Sequence, residues 1–153
     1  MRIAADVMGG DGGCAVIVDG LLQALKYHDH IRTMYLVGDE ENIRVSLGQA
    51  GHLASRIEVV HSPEVLSMEE KPVVGLRRKK KCSLAMATDL VKHGQADAVL
   101  SAGNTGGMVA AASIKLRTLP GVDRPGIATV MPTKTSNFVL LDEIGRASCR
   151  ERV

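Results

Sequence analysis

The sequence predicts an α/β protein with three layers, α/β/α, in which helices cover both faces of a mostly parallel β-sheet. Short apolar runs typical of buried strands alternate with longer segments that have helical spacing. Two of these runs end in glycine-rich turns, as strands do where they enter a tight connection to a helix. The chain has 153 residues, of which 45% are hydrophobic, and this is sufficient for one domain with a core.

The strands are predicted from short runs of Val, Ile, Leu, Met and Ala bounded by polar residues or glycine. The first run, residues 2–7, stops at the segment Gly9–Gly13, and the fourth stops at Gly103. The predicted strands are residues 2–7, 33–37, 56–60, 97–101, 127–131 and 137–141.

The helices are predicted from apolar residues spaced three and four apart. The predicted helices are residues 14–27, 40–50 with Gly51 as C-cap, 83–93 ended by Gly94, and about 106–117. The first is expected to bury Val16, Ile17, Gly20, Leu21, Ala24 and Leu25, and the third Leu84, Ala87, Leu90 and Val91. Residues 61–72 are predicted to be irregular, because Pro63 and Pro72 interrupt regular structure.

Composition excludes several classes of function. A net charge of +2 is too small to indicate a nucleic-acid partner, and only three aromatic residues leave little for base stacking. No apolar run approaches the ~20 residues that cross a bilayer, and the N-terminus lacks a signal-peptide pattern, so a cytoplasmic location is expected. Cysteines and histidines lack metal-ligand spacing, so no metal and no cofactor is predicted.

Residues 143–153 are predicted to be a non-native tail. They follow an apolar strand, their composition changes abruptly, and they are similar to the translation of a sequencing adapter. An ordinary polar tail is the alternative. Residues 1–142 are then the N-terminal part of one domain.

Three segments could carry chemistry. The first is the loop Gly9–Gly13, whose backbone N–H groups and following helix N-terminus favour an anion, although it matches neither a dinucleotide fingerprint nor a P-loop. The second is Ser101–Gly107, where Asn104 or Thr105 is expected to cap a helix and also to contact a ligand. The third is the basic segment Arg77–Lys81, which could hold a phosphate or dock an acidic protein. The alternatives are that the first segment is only a flexible turn, the second only a helix cap, and the third only a solvated surface.

Several motifs in succession resemble the phosphate:acyl-[acyl-carrier-protein] acyltransferase (PlsX) family. The motifs are Asp6-Val7-Met8-Gly9-Gly10-Asp11, Val37-Gly38-Asp39, Lys71-Pro72, Arg77-Arg78-Lys79-Lys80, Ser101-Ala102-Gly103-Asn104-Thr105-Gly106 and Leu119-Pro120-Gly121-Val122-Asp123-Arg124-Pro125. The chain departs from the family pattern at Gly12-Gly13-Cys14, at Gly107 and at Cys82-Ser83. The family is also considerably longer, and its later glycine-rich motifs have no counterpart here.

The resemblance implies an enzyme that converts acyl-[acyl carrier protein] and inorganic phosphate to acyl phosphate. It implies an α/β/α fold related to phosphotransacetylase and isocitrate dehydrogenase, a homodimer, and peripheral membrane association through the absent half. Asn104, Thr105 and Asp11 are the expected catalytic residues. The expected substrate-binding residues are Gly9, Gly10, Arg77, Arg78, Lys79, Ser101, Gly103 and Gly106.

Two other interpretations stay open from the sequence. One is a phosphate- or nucleotide-binding module without catalysis, and the other is a truncated reading frame without function. The chain alone is expected to be inactive and to aggregate, because a parallel sheet cut within a domain leaves an apolar edge uncovered.

Overall fold

A computed structural model describes residues 1–48, 51–122 and 125–142. The chain divides into two compact units, Met1–Arg117 and Thr118–Val153. The first unit contains a four-stranded parallel sheet with helices on both faces, which confirms the predicted α/β class. None of the helices in the described ranges is both long and apolar enough to cross a membrane.

The sheet of the first unit has the strand order β3-β2-β1-β4, and all neighbours are parallel. Its strands are β1 (Arg2–Asp6), β2 (Thr33–Gly38), β3 (Ile57–His61) and β4 (Ala98–Ser101). Its helices are α1 (Gly13–Tyr27), α2 (Glu40–Leu47), α3 (Pro72–Arg78), α4 (Ser83–Lys92) and α5 (Thr105–Lys115), with a short 3-10 helix at Gly51–Arg56.

Alternation along the strands divides the core between the two faces of the sheet. On one face Ala5 and Val7 of β1 and the following connection pack with Leu25 of α1 and Ile43 of α2. On the other face Ala4 packs with residues of α4, and α5 packs against α3 and α4 beyond it. The next inward position on that second face after Ala4 is Asp6, so a carboxylate occupies a place that would otherwise hold an apolar side chain.

Helix α1 confirms most of the predicted buried stripe, including Leu21 and Leu25, but Val16 and Gly20 do not belong to it. Its buried residues are Val18, Leu21 and Leu25, whereas Val16 is 65% exposed and Gly20 is also exposed. Cys14, Ile17 and Ala24 are partly buried against the same core. The prediction followed the apolar character of Val16, but a stripe through Cys14, Val18, Leu21 and Leu25 fits the 3.6-residue period and leaves Val16 to one side.

The end of α2 and the existence of α3 differ from the predictions, because a glycine and a proline have other roles than those expected. Helix α2 ends at Leu47, with Gly48 as C-cap at φ 49°, so Gly51 is not the cap; residues 49 and 50 lie outside the described part. Helix α3 was not predicted at all. Pro72 is its first residue, a position where the missing N–H costs no hydrogen bond, so this proline starts a helix instead of interrupting one.

The second unit contains an antiparallel pair of strands, β5 (Ile127–Pro132) and β6 (Asn137–Asp142). The turn between them is closed by Thr133, whose Oγ1 donates to the Ser136 carbonyl at 2.8 Å and accepts from the Ser136 N–H at 2.9 Å. Both predicted strands are therefore present, and they pair with each other. The predicted tail, residues 143–153, lies outside the described residues, and its non-native origin stays a prediction.

Candidate functional site

The two predicted glycine loops meet at the carboxyl ends of β1 and β4. These strands are neighbours in register, with Asp6 opposite Ser101, so the chain leaves both strands at the same edge of the sheet. A Cβ on Gly9 would lie 2.8 Å from the Cα of Gly103, and one on Gly10 would lie 2.8 Å from the carbonyl oxygen of Ala102. Backbone touches backbone here, and no side chain fits between the loops.

The first loop presents backbone N–H groups that have no partner within the described chain. The N–H groups of Gly9, Gly10 and Asp11 donate no hydrogen bond to any described residue. Gly10 has φ 90°, a conformation that favours glycine. The N-cap of α1, Gly12, supplies no capping side chain, so the first turn of that 15-residue helix adds further free donors and a partial positive charge.

The second loop ends in a helix that Asn104 caps. Its Oδ1 accepts from the N–H of Gly107 at 2.9 Å, which confirms the predicted capping and assigns it to Asn104. Its Nδ2 donates to the carbonyl of Met68 at 3.0 Å and so ties the loop before α3 to α5. Thr105 and Gly106 are the exposed first residues of α5, where backbone N–H groups have no partner within the helix.

The first turn of α5 contains glycines that are required because neighbouring side chains pack directly against them. A Cβ on Gly107 would lie 2.6 Å from Cδ2 of Leu66, and one on Gly106 would lie 3.0 Å from Cγ of Pro72. The start of α5 is therefore packed closely against the segment that leads into α3. This contact places the N-terminus of α3, and not its basic end, beside the second loop.

Asp6 lies at the junction of the two loops, and sequence reasoning missed its role. It is 4% exposed; its Oδ1 accepts from the N–H of Met8 at 3.2 Å, and its Oδ2 accepts from Oγ of Ser101 at 2.8 Å. The Ser101 Oγ in turn accepts from the N–H of Gly103 at 3.1 Å. A charged residue that ends an apolar strand run was the available signal, because such residues are rarely buried without a specific partner.

The basic segment divides into residues with different surroundings. Nζ of Lys79 lies 2.8 Å from Oε2 of Glu70 and 2.8 Å from the carbonyl oxygen of Val65. The hydrogen bond from Lys79 holds the pKa of the Glu70 carboxyl below its usual value. Lys79 thus fastens the loop before α3 to the end of that helix, while Arg77 and Arg78 are exposed.

A surface cavity of about 470 Å³ lies between α3, α4 and α5. Four cationic side chains line it: Arg77, Lys80, Lys92 and Lys115. Leu76, Ala111 and Ile114 form its apolar part, and the carboxylate of Asp89 is paired with Lys115 at 2.5 Å. Lys92 and Lys115 were not predicted, because they lie far along the chain from the basic segment. We call this cavity, with its four cationic side chains, the basic cavity.

Cys82, the N-cap residue of α4, is completely buried. Burial raises the pKa of its thiol, so the group is protonated at neutral pH and is not an activated nucleophile. Cys14 and Cys82 are both free thiols.

Comparison with known proteins gives a consistent result over nearly the whole chain. Residues 1–152 match the model of the family described as "Fatty acid synthesis protein". The chain is 48% identical over 134 residues to a phosphate acyltransferase of Akkermansia muciniphila, covering 88% of this chain and 38% of that protein. Phosphate acyltransferases of Shewanella sp. strain ANA-3 (46% over 146 residues, 95% of this chain) and Erythrobacter litoralis (42% over 144 residues, 94%) are similar.

The chain spans only part of these relatives, namely 42% of the length of the Shewanella protein and 40% of the Erythrobacter protein. The family-model match, residues 1–152, includes both glycine loops.

Proposed function

The chain belongs to the fatty acid synthesis protein family, and from that premise we propose that it is the N-terminal part of a phosphate acyltransferase. The enzyme transfers an acyl group from acyl carrier protein to inorganic phosphate, and the acyl phosphate product serves phospholipid synthesis. The observation that carries the proposal is the backbone contact between the loops at Gly9 and Gly103, because it gathers free donors at one edge of the sheet.

The proposed phosphate site is a cradle of backbone N–H groups, which we call the two-loop cradle. Its donors are the N–H groups of Gly9, Gly10 and Asp11 from the first loop, and those of Thr105 and Gly106 at the start of α5. Such donors suit an anion, since each helix N-terminus also carries a partial positive charge. The edge of the sheet is the expected place for a ligand, because ligands of open α/β sheets bind at the carboxyl ends of the strands.

In the proposed reaction a phosphate oxygen attacks the thioester carbonyl carbon. A C–O bond forms, the carbonyl oxygen becomes an oxyanion, and the C–S bond then breaks to release the carrier-protein thiolate, which takes up a proton. Two contributions lower the barrier: the cradle holds phosphate close to the carbonyl, and fixed donors stabilise the developing negative charge. Asn104 and Thr105 stand at the mouth of the cradle, where the second amide hydrogen of Asn104 and the hydroxyl of Thr105 are the proposed contacts to the oxyanion.

Asp11 is the proposed catalytic carboxylate of the first loop. It is exposed and follows the two glycines of the cradle directly, so it could accept a proton from dihydrogen phosphate or orient the incoming thioester. Ser101 and Gly103 complete the proposed substrate-binding set, with Gly103 leaving room for the anion.

The carrier protein is proposed to dock on the basic side of the molecule. Arg77 belongs to both the basic segment and the basic cavity, and Arg78 is exposed beside it. Positive charges on one face attract an acidic partner and speed its encounter. Lys79 contributes by holding the end of α3, since its own charge is paired with Glu70.

Three further properties are proposed from the family resemblance. They are homodimer formation, a cytoplasmic location, and peripheral membrane association through the part of the family sequence that this chain does not span. No cofactor is proposed for the reaction.

The test of the proposed function is acyl-phosphate formation by a full-length relative that has the same residues at the aligned positions. The substitution Asn104→Ala is expected to lower kcat/KM by about tenfold or more, because it removes a donor to the oxyanion as well as the cap of α5. Acyl phosphate is measured as its hydroxamate, with phosphate-free and thioester-free reactions as blanks.

The matched control is Asn104→Ser, which keeps a capping oxygen but has no amide donor. Stability close to that of the unaltered enzyme together with low turnover would support a contact to substrate. Full turnover in Asn104→Ser would leave Asn104 with a capping role only. Phosphate binding by the unaltered enzyme without acyl-phosphate formation would favour the binding module over the enzyme.

A further inference from the structure

Asp6 is a buried carboxylate with no cation beside it. None of the ion pairs among the described residues includes it, and it is 4% exposed. A charge in this position is tolerated only if hydrogen-bond donors replace the lost water. Its donors are the N–H of Met8, which directly precedes the first glycine loop, and the hydroxyl of Ser101, which begins the second.

These contacts form a continuous chain of hydrogen bonds across the base of the two-loop cradle. Met8 N–H donates to Oδ1 of Asp6 at 3.2 Å, the Ser101 hydroxyl donates to Oδ2 at 2.8 Å, and the Gly103 N–H donates to the Ser101 oxygen at 3.1 Å. The position where a Gly9 Cβ would stand is 3.0 Å from Oδ2, so the carboxylate also sits directly below the contact between the loops.

We propose that Asp6 is a positioning residue that, through Ser101, fixes the separation of the two glycine loops and so aligns the free N–H groups of the cradle on phosphate. The inference rests on the proposed function. It also changes the role of Ser101: its only hydroxyl hydrogen is given to Asp6, so Ser101 holds the loop and leaves the anion to backbone donors.

The same pair of strands carries a second clamp at its other end, which provides a matched control. There the N–H of Arg2 donates to Oδ2 of Asp97 at 2.7 Å, and Nη2 of Arg2 lies 2.6 Å from Oδ1. Asp97 joins β4 to β1 as Asp6 does, but at the amino ends of the strands, away from the cradle. We therefore expect loss of Asp97 to weaken the pairing of β1 and β4 without moving the glycine loops.

The experiment compares Asp6→Asn, Ser101→Ala, the double variant and Asp97→Asn in a full-length relative with the same residues at these positions. The affinity for inorganic phosphate is measured by 31P NMR titration, and KM for phosphate, KM for the thioester and kcat are measured beside it. In Asp6→Asn the Oδ1 can still accept from the Met8 N–H, but the NH2 group can only donate to the Ser101 oxygen, so the charge-assisted hydrogen bond from the Ser101 hydroxyl is lost.

We expect Asp6→Asn and Ser101→Ala each to weaken phosphate binding about tenfold, the effect of losing one hydrogen bond to a charged group. The double variant should lose no more than about twofold beyond the worse single variant, because both act through one contact. KM for phosphate should rise while KM for the thioester stays within about twofold, a split that a smaller folded fraction does not produce. Asp97→Asn should keep its phosphate affinity.

Unchanged or tighter phosphate binding in folded Asp6→Asn would overturn the inference; tighter binding is what a merely repulsive carboxylate predicts. Multiplicative losses in the double variant, or an equal loss in Asp97→Asn, would also overturn it. If Asp6→Asn does not fold, the phosphate affinity of Ser101→Ala alone tests the inference: a loss of about tenfold supports it, and unchanged binding overturns it. An unaltered enzyme that binds no phosphate overturns this inference and the proposed function together, whereas phosphate binding without turnover overturns only the enzyme.

Discussion

At the scale of single residues, the two glycine loops meet at Gly9 and Gly103, where a Cβ on Gly9 would lie 2.8 Å from the Cα of Gly103. The run of glycines predicted a turn that brings bare backbone to a ligand. It did not reveal that the two loops touch, because that contact depends on β4 pairing with β1 across about a hundred residues of chain. Asp6 was missed for the same reason: its partner Ser101 becomes a neighbour only in the folded sheet.

The substitution Gly9→Ala tests the closeness of this contact. Its Cβ would lie 2.8 Å from Cα of Gly103 and 3.0 Å from Oδ2 of Asp6, so backbone has to move. We expect the free energy of unfolding to fall by about 1–3 kcal/mol, as for other overpacked sites. Urea unfolding of a full-length relative with the same residues at these positions, followed by circular dichroism, measures it.

Gly20→Ala is the matched control for that change. Gly20 is exposed in α1, and a Cβ there meets no atom within 4 Å, so alanine should raise the free energy of unfolding by about 0.5–1 kcal/mol through helix propensity. Equal effects of the two substitutions would show that the loops are farther apart than described.

At the scale of elements, hydrophobic periodicity and turn residues predicted which helices and strands exist better than they predicted where each begins and ends. All six strands and four of the five helices of the described chain were expected. Helix α3 was not, since Pro72 reads as an interruption unless it stands at a first helical position. Arg56 was also not expected to matter, yet its guanidinium donates to the carbonyls of Leu25, His28 and Ile31 and holds the end of α1.

The Arg2–Asp97 clamp predicts how stability depends on pH. Hydrogen bonds from the side chain and backbone of Arg2 lower the pKa of Asp97 to about 2, from an unfolded value near 3.8. The folded state therefore binds fewer protons, and the contribution is complete above about pH 4 and is lost as pH falls toward 2.

Urea midpoints of a full-length relative with the same residues and of its Asp97→Asn variant, measured between pH 2 and pH 5, test this. Their difference should be largest at pH 5 and shrink toward pH 2. Both groups are exposed by about two-fifths, so added salt should reduce the difference as well. A difference independent of pH would contradict the clamp.

At the scale of the whole molecule, apolar surface remains uncovered in both units. Leu100 of the edge strand β4 is 48% exposed, and Phe138, Val139 and Leu140 of β6 are each more than half exposed. Surface of this kind is covered in stable proteins by further structure or by a partner. An isolated pair of strands such as β5 and β6 is also marginally stable by itself.

We therefore expect the 153-residue chain to self-associate when it is produced alone. Light scattering across a concentration series should show species larger than a monomer, and Leu100→Lys should reduce them, because a charge on an edge strand opposes pairing between copies. Val45→Lys, at an exposed residue of α2, should have no such effect. A monomer with a cooperative thermal transition would contradict the expectation.

The strand order β3-β2-β1-β4 has a consequence for the order in which the protein is made. During synthesis β1 is made first, and one of its edges can pair with β2, the next strand along the chain. Its other edge pairs with β4, which is complete only when Ser101 has been synthesised. Contacts of such long separation form slowly, and the open side of β1 is exposed meanwhile. The two glycine loops therefore come together only after β4 has paired with β1. A ribosome-bound chain that ends before β4 has no two-loop cradle.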